Sequence, residues 1–131
     1  MRLERVEPPR EFEVGLRGAT LEHVANLELA SDEVVTLITD SGTELDVTRK
    51  AWGYYATPSL NGRLREHGLR AALALGVARE GESAARMYLL LVEEGQESAF
   101  EEYLEREGMR VVAWLDDDES VAAAARRLED I

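Results

Sequence analysis

Apolar and polar positions alternate in short runs through the first third of the chain. Phe12, Val14 and Leu16 alternate with Glu13, Gly15 and Arg17, and Ala25, Leu27 and Leu29 alternate with Val24, Asn26 and Glu28. A period of two predicts half-buried antiparallel strands. Residues 34–39 are apolar and β-branched, Asp40, Ser41 and Gly42 form a turn cluster, and Leu45 and Val47 resume the alternation through Thr48 and Arg49, which predicts a hairpin. Ahead of these strands the Pro8-Pro9 pair favours extended backbone. It sets off a polar arm, residues 1–10, from a single domain of residues 11–131.

After Lys50 the alternation breaks. Gly53, Pro58 and Gly62 punctuate a long loop, followed by a short helix that Ser59 or Asn61 could cap, running to about His67 and ended by Gly68. Residues 69–77 carry the Ala and Leu content of a helix, yet Leu69, Ala71, Leu73, Leu75 and Val77 fall on one face of a strand. The glycines at 68 and 76 tip the balance to a strand. Residues 87–92 are a near-continuous apolar run, the pattern of a central strand covered on both faces. Phe100, Tyr103 and Leu104 then share a helical face starting near Gln96, with Gly108 placed to end it. Met109, Val111, Ala113 and Leu115 alternate as one more strand. A last helix, capped by Ser120, would carry Val121, Ala124, Ala125 and Leu128 as its apolar stripe. Strands gathered early and helices late predict an α+β fold, a mainly antiparallel sheet of about six to seven strands with two to three helices packed on one face.

At 131 residues the chain has the commonest size for one domain and can form a single core. It has no cysteine, which excludes disulfides, thiolate zinc sites and a cysteine nucleophile. No run reaches the 18 apolar residues of a membrane-spanning helix and the N-terminus has no hydrophobic signal core, so a cytoplasmic bacterial or archaeal protein is expected. The net charge of −12 argues against nucleic acid as a partner, and no membrane association is expected. That charge is unevenly spread. Residues 1–48 hold eleven acids and four arginines (net −7), residues 49–79 six basic residues and one acid (net +5), and residues 80–131 fifteen acids and five arginines (net −10).

Within this basic island, Arg49, Lys50, Arg63, Arg65 and Arg70 accompany Trp52, Tyr54 and Tyr55, so three of the eight aromatic residues lie within four positions. Rings that stack and guanidinium groups that grip carboxylate or phosphate suit a ligand with an anionic end and a flat or sugar-like end. The approach through Thr57, Pro58 and Ser59 to a helix start adds backbone N–H groups and a positive dipole end. Together, Arg49, Lys50, Trp52, Tyr54, Tyr55, Ser59, Asn61, Arg63 and Arg65 are the candidate ligand-binding residues. The alternative is that Trp52 and one tyrosine fill the core and the basic residues pair with surrounding acids as surface ion pairs.

The segment Trp52-Gly53-Tyr54-Tyr55-Ala56-Thr57-Pro58-Ser59-Leu60-Asn61-Gly62-Arg63-Leu64 resembles one in a family of small uncharacterised bacterial proteins, a likeness extending loosely from about residue 11 to 115. Genes of that family sometimes lie near surface-sugar biosynthesis genes. The resemblance implies no particular activity and supplies no catalytic residue.

Catalytic signals are sparse. His67, beside Glu66 and the basic segment, is the candidate acid–base group, ahead of His23, and the two histidines are 44 residues apart with no metal-ligand spacing. Residues 116–118, three aspartates, could hold Mg²⁺ or Ca²⁺, but as a solvated lead-in to a helix they serve its dipole. The glycines match neither a dinucleotide fingerprint nor a P-loop, and Ser41 and Ser59 lack a nucleophile-elbow pattern. The expectation is a binding or accessory protein without cofactor or metal, holding an anionic small molecule or an acidic partner at residues 49–70. Two alternatives stand beside it: an enzyme acting on an anionic, sugar-linked metabolite with His67, Tyr54 or Tyr55 as acid–base and Arg63 as anchor, and an oligomeric interaction module such as a homodimer.

Overall fold

The structure is a computed structural model that describes residues 1–55, 59–78, 80–81 and 85–130. It begins with a long ribbon, β1 (Arg2–Val14) antiparallel to β2 (Ala19–Glu28). Gly15 and Gly18 turn the chain between them at φ of 79° and 65°, a region that strains residues bearing a Cβ. Leu3 faces Leu27, Phe12 faces Leu21 and Val14 faces Ala19, with a register shift between Arg5 and Arg10. Pro8 and Pro9, which have no N–H to donate, lie in that shift. The expected boundary at residue 10 falls inside β1. Because β2 alternates without interruption, Leu3, Phe12, Val14, Leu21 and Leu27 lie on one face of the ribbon. Glu4, Glu11, Glu13, Glu22 and Glu28 lie on the other.

A second sheet runs in the order β3 (Val34–Ile38), β4 (Glu44–Lys50), β5 (Gly53–Tyr55), confirming the predicted hairpin and adding a three-residue edge strand. After the one-turn helix α1 (Arg63–Glu66), a third sheet places β6 (Leu69–Gly76) between β7 (Arg86–Glu93) and β8 (Met109–Trp114), with helix α2 (Glu97–Arg106) joining β7 to β8 and α3 (Asp118–Glu129) following. The fold is α+β and the described pairings are all antiparallel. Eight strands in three small sheets replace the single sheet of six to seven, because alternation marks a strand without choosing its neighbour. Residues 69–76 are a strand, as Gly68 and Gly76 suggested. The doubly covered central strand, however, is β6 and not residues 87–92. Ala71, Ala72 and Ala74 let both faces of β6 be packed closely, whereas β7 is an edge whose Met87 and Leu89 are exposed.

The core is small. Leu64, Leu69 and Ala71 are buried together, with Leu45, Leu60 and Leu91 partly buried against them, so β4, α1, β6 and β7 meet at one point. Full burial of a leucine such as Leu64 contributes roughly 1.5–3 kcal/mol. Polar bonds strengthen the junction: Ser41 Oγ and Thr43 Oγ1, in the β3–β4 turn, donate to the Glu93 carboxylate of β7 at 2.8 and 2.7 Å. On α2, Leu104 is buried and Phe100 meets Trp114 edge-on with ring centroids 5.8 Å apart, as its apolar face predicted. The cap of α3 is Asp117, whose carboxylate accepts from Ser120 N at 2.7 Å; Ser120, expected as the cap, is the third residue of the capping box. No residue of α3 is buried and Leu128 is largely exposed.

The strands expected to be half-buried in the ribbon are mostly exposed, Leu3, Val14, Leu21, Val24 and Leu27 among them. Contacts at both ends fasten the ribbon to the rest of the chain. At its tip, Leu16 N donates to the Glu107 carboxylate at 3.2 Å, with Leu16 reaching Gly108. At its base, the Met1 ammonium pairs with Glu33 at 3.0 Å.

Candidate functional site

Strand β5 and the turn before it present the aromatic cluster at the free edge of the second sheet. Trp52 is 73% exposed, Tyr54 62% and Tyr55 50%. None fills the core. Tyr54 is the register partner of Arg49 on β4, and Tyr55 that of Thr48, so the two tyrosines lie on opposite faces of the sheet. Ala56, Thr57 and Pro58 lie outside the described residues, and the part of the anion-site expectation that rests on Thr57 and Pro58 goes with them.

The basic residues of the segment are bonded within the chain. Lys50 Nζ meets Asp32 at 2.6 Å, and Arg63 Nη2 meets Asp46 at 3.1 Å. Asp46 is held below the usual carboxylate range first by the Thr36 hydroxyl and then by Arg63. Arg65 donates from Nη1 to the Asp116 carbonyl at 3.0 Å and to its carboxylate at 3.3 Å. Arg70 Nε donates to the same Asp116 oxygen, Oδ2, while its guanidinium carbon lies 4.0 Å from the Trp114 ring centroid. The hydrogen bond to Asp116 raises the Arg70 pKa further. Arg49 donates to the Lys50 carbonyl and has no ion pair among the described residues.

Asp116 corrects one sequence expectation. Instead of a solvated member of the acidic run it is 1% exposed and clasped by two arginines, while Asp117 and Asp118 remain in water at the helix start. Burial of a carboxylate requires such partners. Its Oδ1 takes no hydrogen bond among the described residues.

Ser59 and Asn61 have structural bonds: Ser59 Oγ accepts from Arg63 N at 2.9 Å, and Asn61 Nδ2 donates to Asp118 at 2.8 Å. Helix α1 is a single turn, and Ser59 already accepts from the N–H groups of Gly62, Arg63 and Leu64. His67 Nδ1 lies 3.2 Å from Glu44, half-buried between α1 and β4. Among the described residues no group of three or more metal-ligating side chains is placed to hold an ion.

Concave surface occurs elsewhere. A cleft of about 640 Å³ lies under the ribbon tip, between Glu13, Val14 and Leu16 on one side and Tyr88, Tyr103 and Met109 on the other. A shallower one of about 540 Å³ lies beside α2, against Ser41, Phe100 and Tyr103. Neither is lined by any described residue from 49 to 70, so these two clefts and the sequence-predicted site are different places. Nothing in the sequence marked the cleft, whose walls come from five elements.

The class defined by these features is a small antiparallel α+β protein with an aromatic edge. In comparison with known proteins, no family model, no curated protein and no solved structure matches the chain.

Proposed function

We propose that the chain is a binding or accessory protein that recognises an acidic protein surface through the rim formed by Trp52, Tyr54, Tyr55 and Arg49. The observation that carries this reading is the joint exposure of the three rings at the edge of a sheet. Exposed Trp and Tyr cluster where proteins meet, because each buries much area at low entropic cost. An unpaired sheet edge adds backbone groups for an incoming strand.

The charges favour an acidic partner over a trapped small anion. Arg49 has no carboxylate partner among the described residues, and the Lys50–Asp32 and Arg63–Asp46 pairs lie at the surface, where such a pair contributes little and can be exchanged for another. Arg65 and Arg70 are committed to Asp116. A small anion would need a concave site around these residues, and neither of the two clefts described above is lined by them.

The test selects ten-residue peptides from a display library on the wild-type chain and on the Trp52→Ala/Tyr54→Ala/Tyr55→Ala variant. Enrichment of acidic peptides on the wild type alone supports the rim. Equal enrichment on both overturns it, as does a stabilising shift with phosphate or a nucleotide sugar that disappears in Arg63→Ala/Arg65→Ala.

A further inference from the structure

The cleft of about 640 Å³ under the ribbon tip has the size of a small-molecule site, for which roughly 300–1,000 Å³ is usual. Its floor follows from the third sheet. Gly76, Tyr88 and Met109 lie on the neighbouring strands β6, β7 and β8, and the Cβ that Gly76 lacks would stand 3.6 Å from both Tyr88 and Met109. A hollow therefore opens between a ring and a thioether. Leu16 borders it from the ribbon tip, and Tyr103 and Glu107 border it from the last turn and C-cap of α2.

The polar groups of the lining favour one sign of charge. Glu13 and Glu107 both border the cleft. Among the described residues Glu107 receives one N–H, that of Leu16, and Glu13 takes no hydrogen bond or ion pair. The hydroxyls of Tyr88 and Tyr103 likewise have no hydrogen-bond partner among the described residues. Arg86, also in the lining, is already engaged within the chain. The negative end of the α2 dipole reinforces the carboxylates, and tyrosine faces attract cations. At longer range the net charge of −12 draws cations to the chain.

We propose that this cleft binds an organic amine, whose protonated nitrogen meets the carboxylates of Glu107 and Glu13 and whose flat apolar body lies against Tyr88, Tyr103 and Met109. Other occupants fit less well. An anion would face two carboxylates, and a wholly apolar molecule would take both out of water without a partner. A metal ion would find no third ligand among the described residues and would leave the rings unused. The cleft shares no described residue with the aromatic edge at β5, so this proposal is independent of the acidic partner proposed there.

Titration of the isotope-labelled full chain with tryptamine, followed by NMR at the backbone amides, tests the site. Two indoles of similar shape serve as controls, the neutral tryptophol and the anionic indolepropionate. Tryptamine should shift the amides of Leu16, Gly76 and Glu107 and bind about tenfold more tightly than tryptophol, the increment of one charge-assisted hydrogen bond. Indolepropionate should leave those amides in place. Glu107→Gln keeps an oxygen for Leu16 N and removes the charge, so it should abolish the preference for the amine without changing the affinity for tryptophol.

Glu13→Gln guards against a Glu107 variant that fails to fold, because Glu13 is exposed and holds no other group of the described chain. It should weaken tryptamine alone. Amides that stay unmoved with millimolar tryptamine overturn the proposal, as does indolepropionate shifting them equally. So does a full preference for the amine in Glu107→Gln or, where that variant does not fold, in Glu13→Gln.

Discussion

Arg70 bridges Asp116 and Trp114: its guanidinium donates to the buried carboxylate and its central carbon lies over the indole, 4.0 Å from the ring centroid. Arg65 reaches the same carboxylate oxygen, so Asp116, the second residue after β8, is held by two cations contributed by α1 and β6. Removing the carboxylate charge leaves two arginines facing a buried site. Asp116→Asn should therefore cost about 3 kcal/mol, at the lower end for a broken buried pair because Arg65 is partly solvated. For a domain of this size that is about 10 °C in Tm, read by thermal unfolding. Arg65→Ala should cost less than Arg70→Ala.

Leu64 and Trp52 should respond in opposite ways to truncation. Leu64 is 2% exposed where β4, α1, β6 and β7 converge, so Leu64→Ala should destabilise by about 2–5 kcal/mol in urea unfolding. Trp52, the larger side chain, is outside the core, and Trp52→Ala should stay within about 0.5 kcal/mol of wild type. A loss near 3 kcal/mol at Trp52 would show that the ring is packed in solution.

Acid should loosen the contact between the second and third sheets. Hydrogen bonds from Thr39, Thr43 and Ser41 lower the Glu93 pKa. A carboxylate whose folded pKa is depressed adds stability above its unfolded value and loses it as pH falls through the folded one. Stability contributed by Glu93, and likewise by Asp46, should thus be fully present at pH 7 and decline from about pH 5 downward. Glu93→Gln should flatten part of that slope in unfolding curves between pH 7 and 3. A variant slope equal to wild type would show that the hydroxyl cluster does not hold the charge.

A side chain at Gly15 would meet the carboxylate that clasps the ribbon tip. An added Cβ would lie 1.8 Å from Glu107 Oε1, on a backbone at φ of 79°. Gly15→Ala should push the carboxylate off Leu16 N and free the ribbon tip, adding about 1–2 kcal/mol of backbone strain. Hydrogen exchange at the amides of Leu16 and Gly18 should accelerate while β6 stays protected. Unchanged exchange there would mean that the clasp does not hold the tip.

Local chemistry was legible and partnership was not. The strand at β6 followed from its alternation between two glycines, and α2 from its apolar face and from Gly108, at φ of 66°. By contrast, Asp116 differs from Asp117 and Asp118 in nothing but its position relative to Arg65 and Arg70, 51 and 46 residues earlier. The cap of α3 was placed on Ser120 because aspartate and serine are comparable caps, and three aspartates before the serine left the helix start ambiguous. The charge reversal of residues 49–79 was visible in composition, whereas its neutralisation by Asp32, Asp46 and Asp116 depends on how the sheets approach. Trp52, Tyr54 and Tyr55 read equally well as core or rim, since ring size shows how much area is available and not which side of the surface holds it.

The clasp between Leu16 and Glu107 spans 91 residues. At about 5–20 residues per second, a ribosome delivers the ribbon roughly 5–20 s before the carboxylate that fastens its tip has been synthesised. Throughout that interval the nascent hairpin can close on itself, but its tip has no clasp. Charge repulsion among the glutamates on its back is then its main defence against sticking to a neighbouring chain on the same polysome, which carries the identical surface.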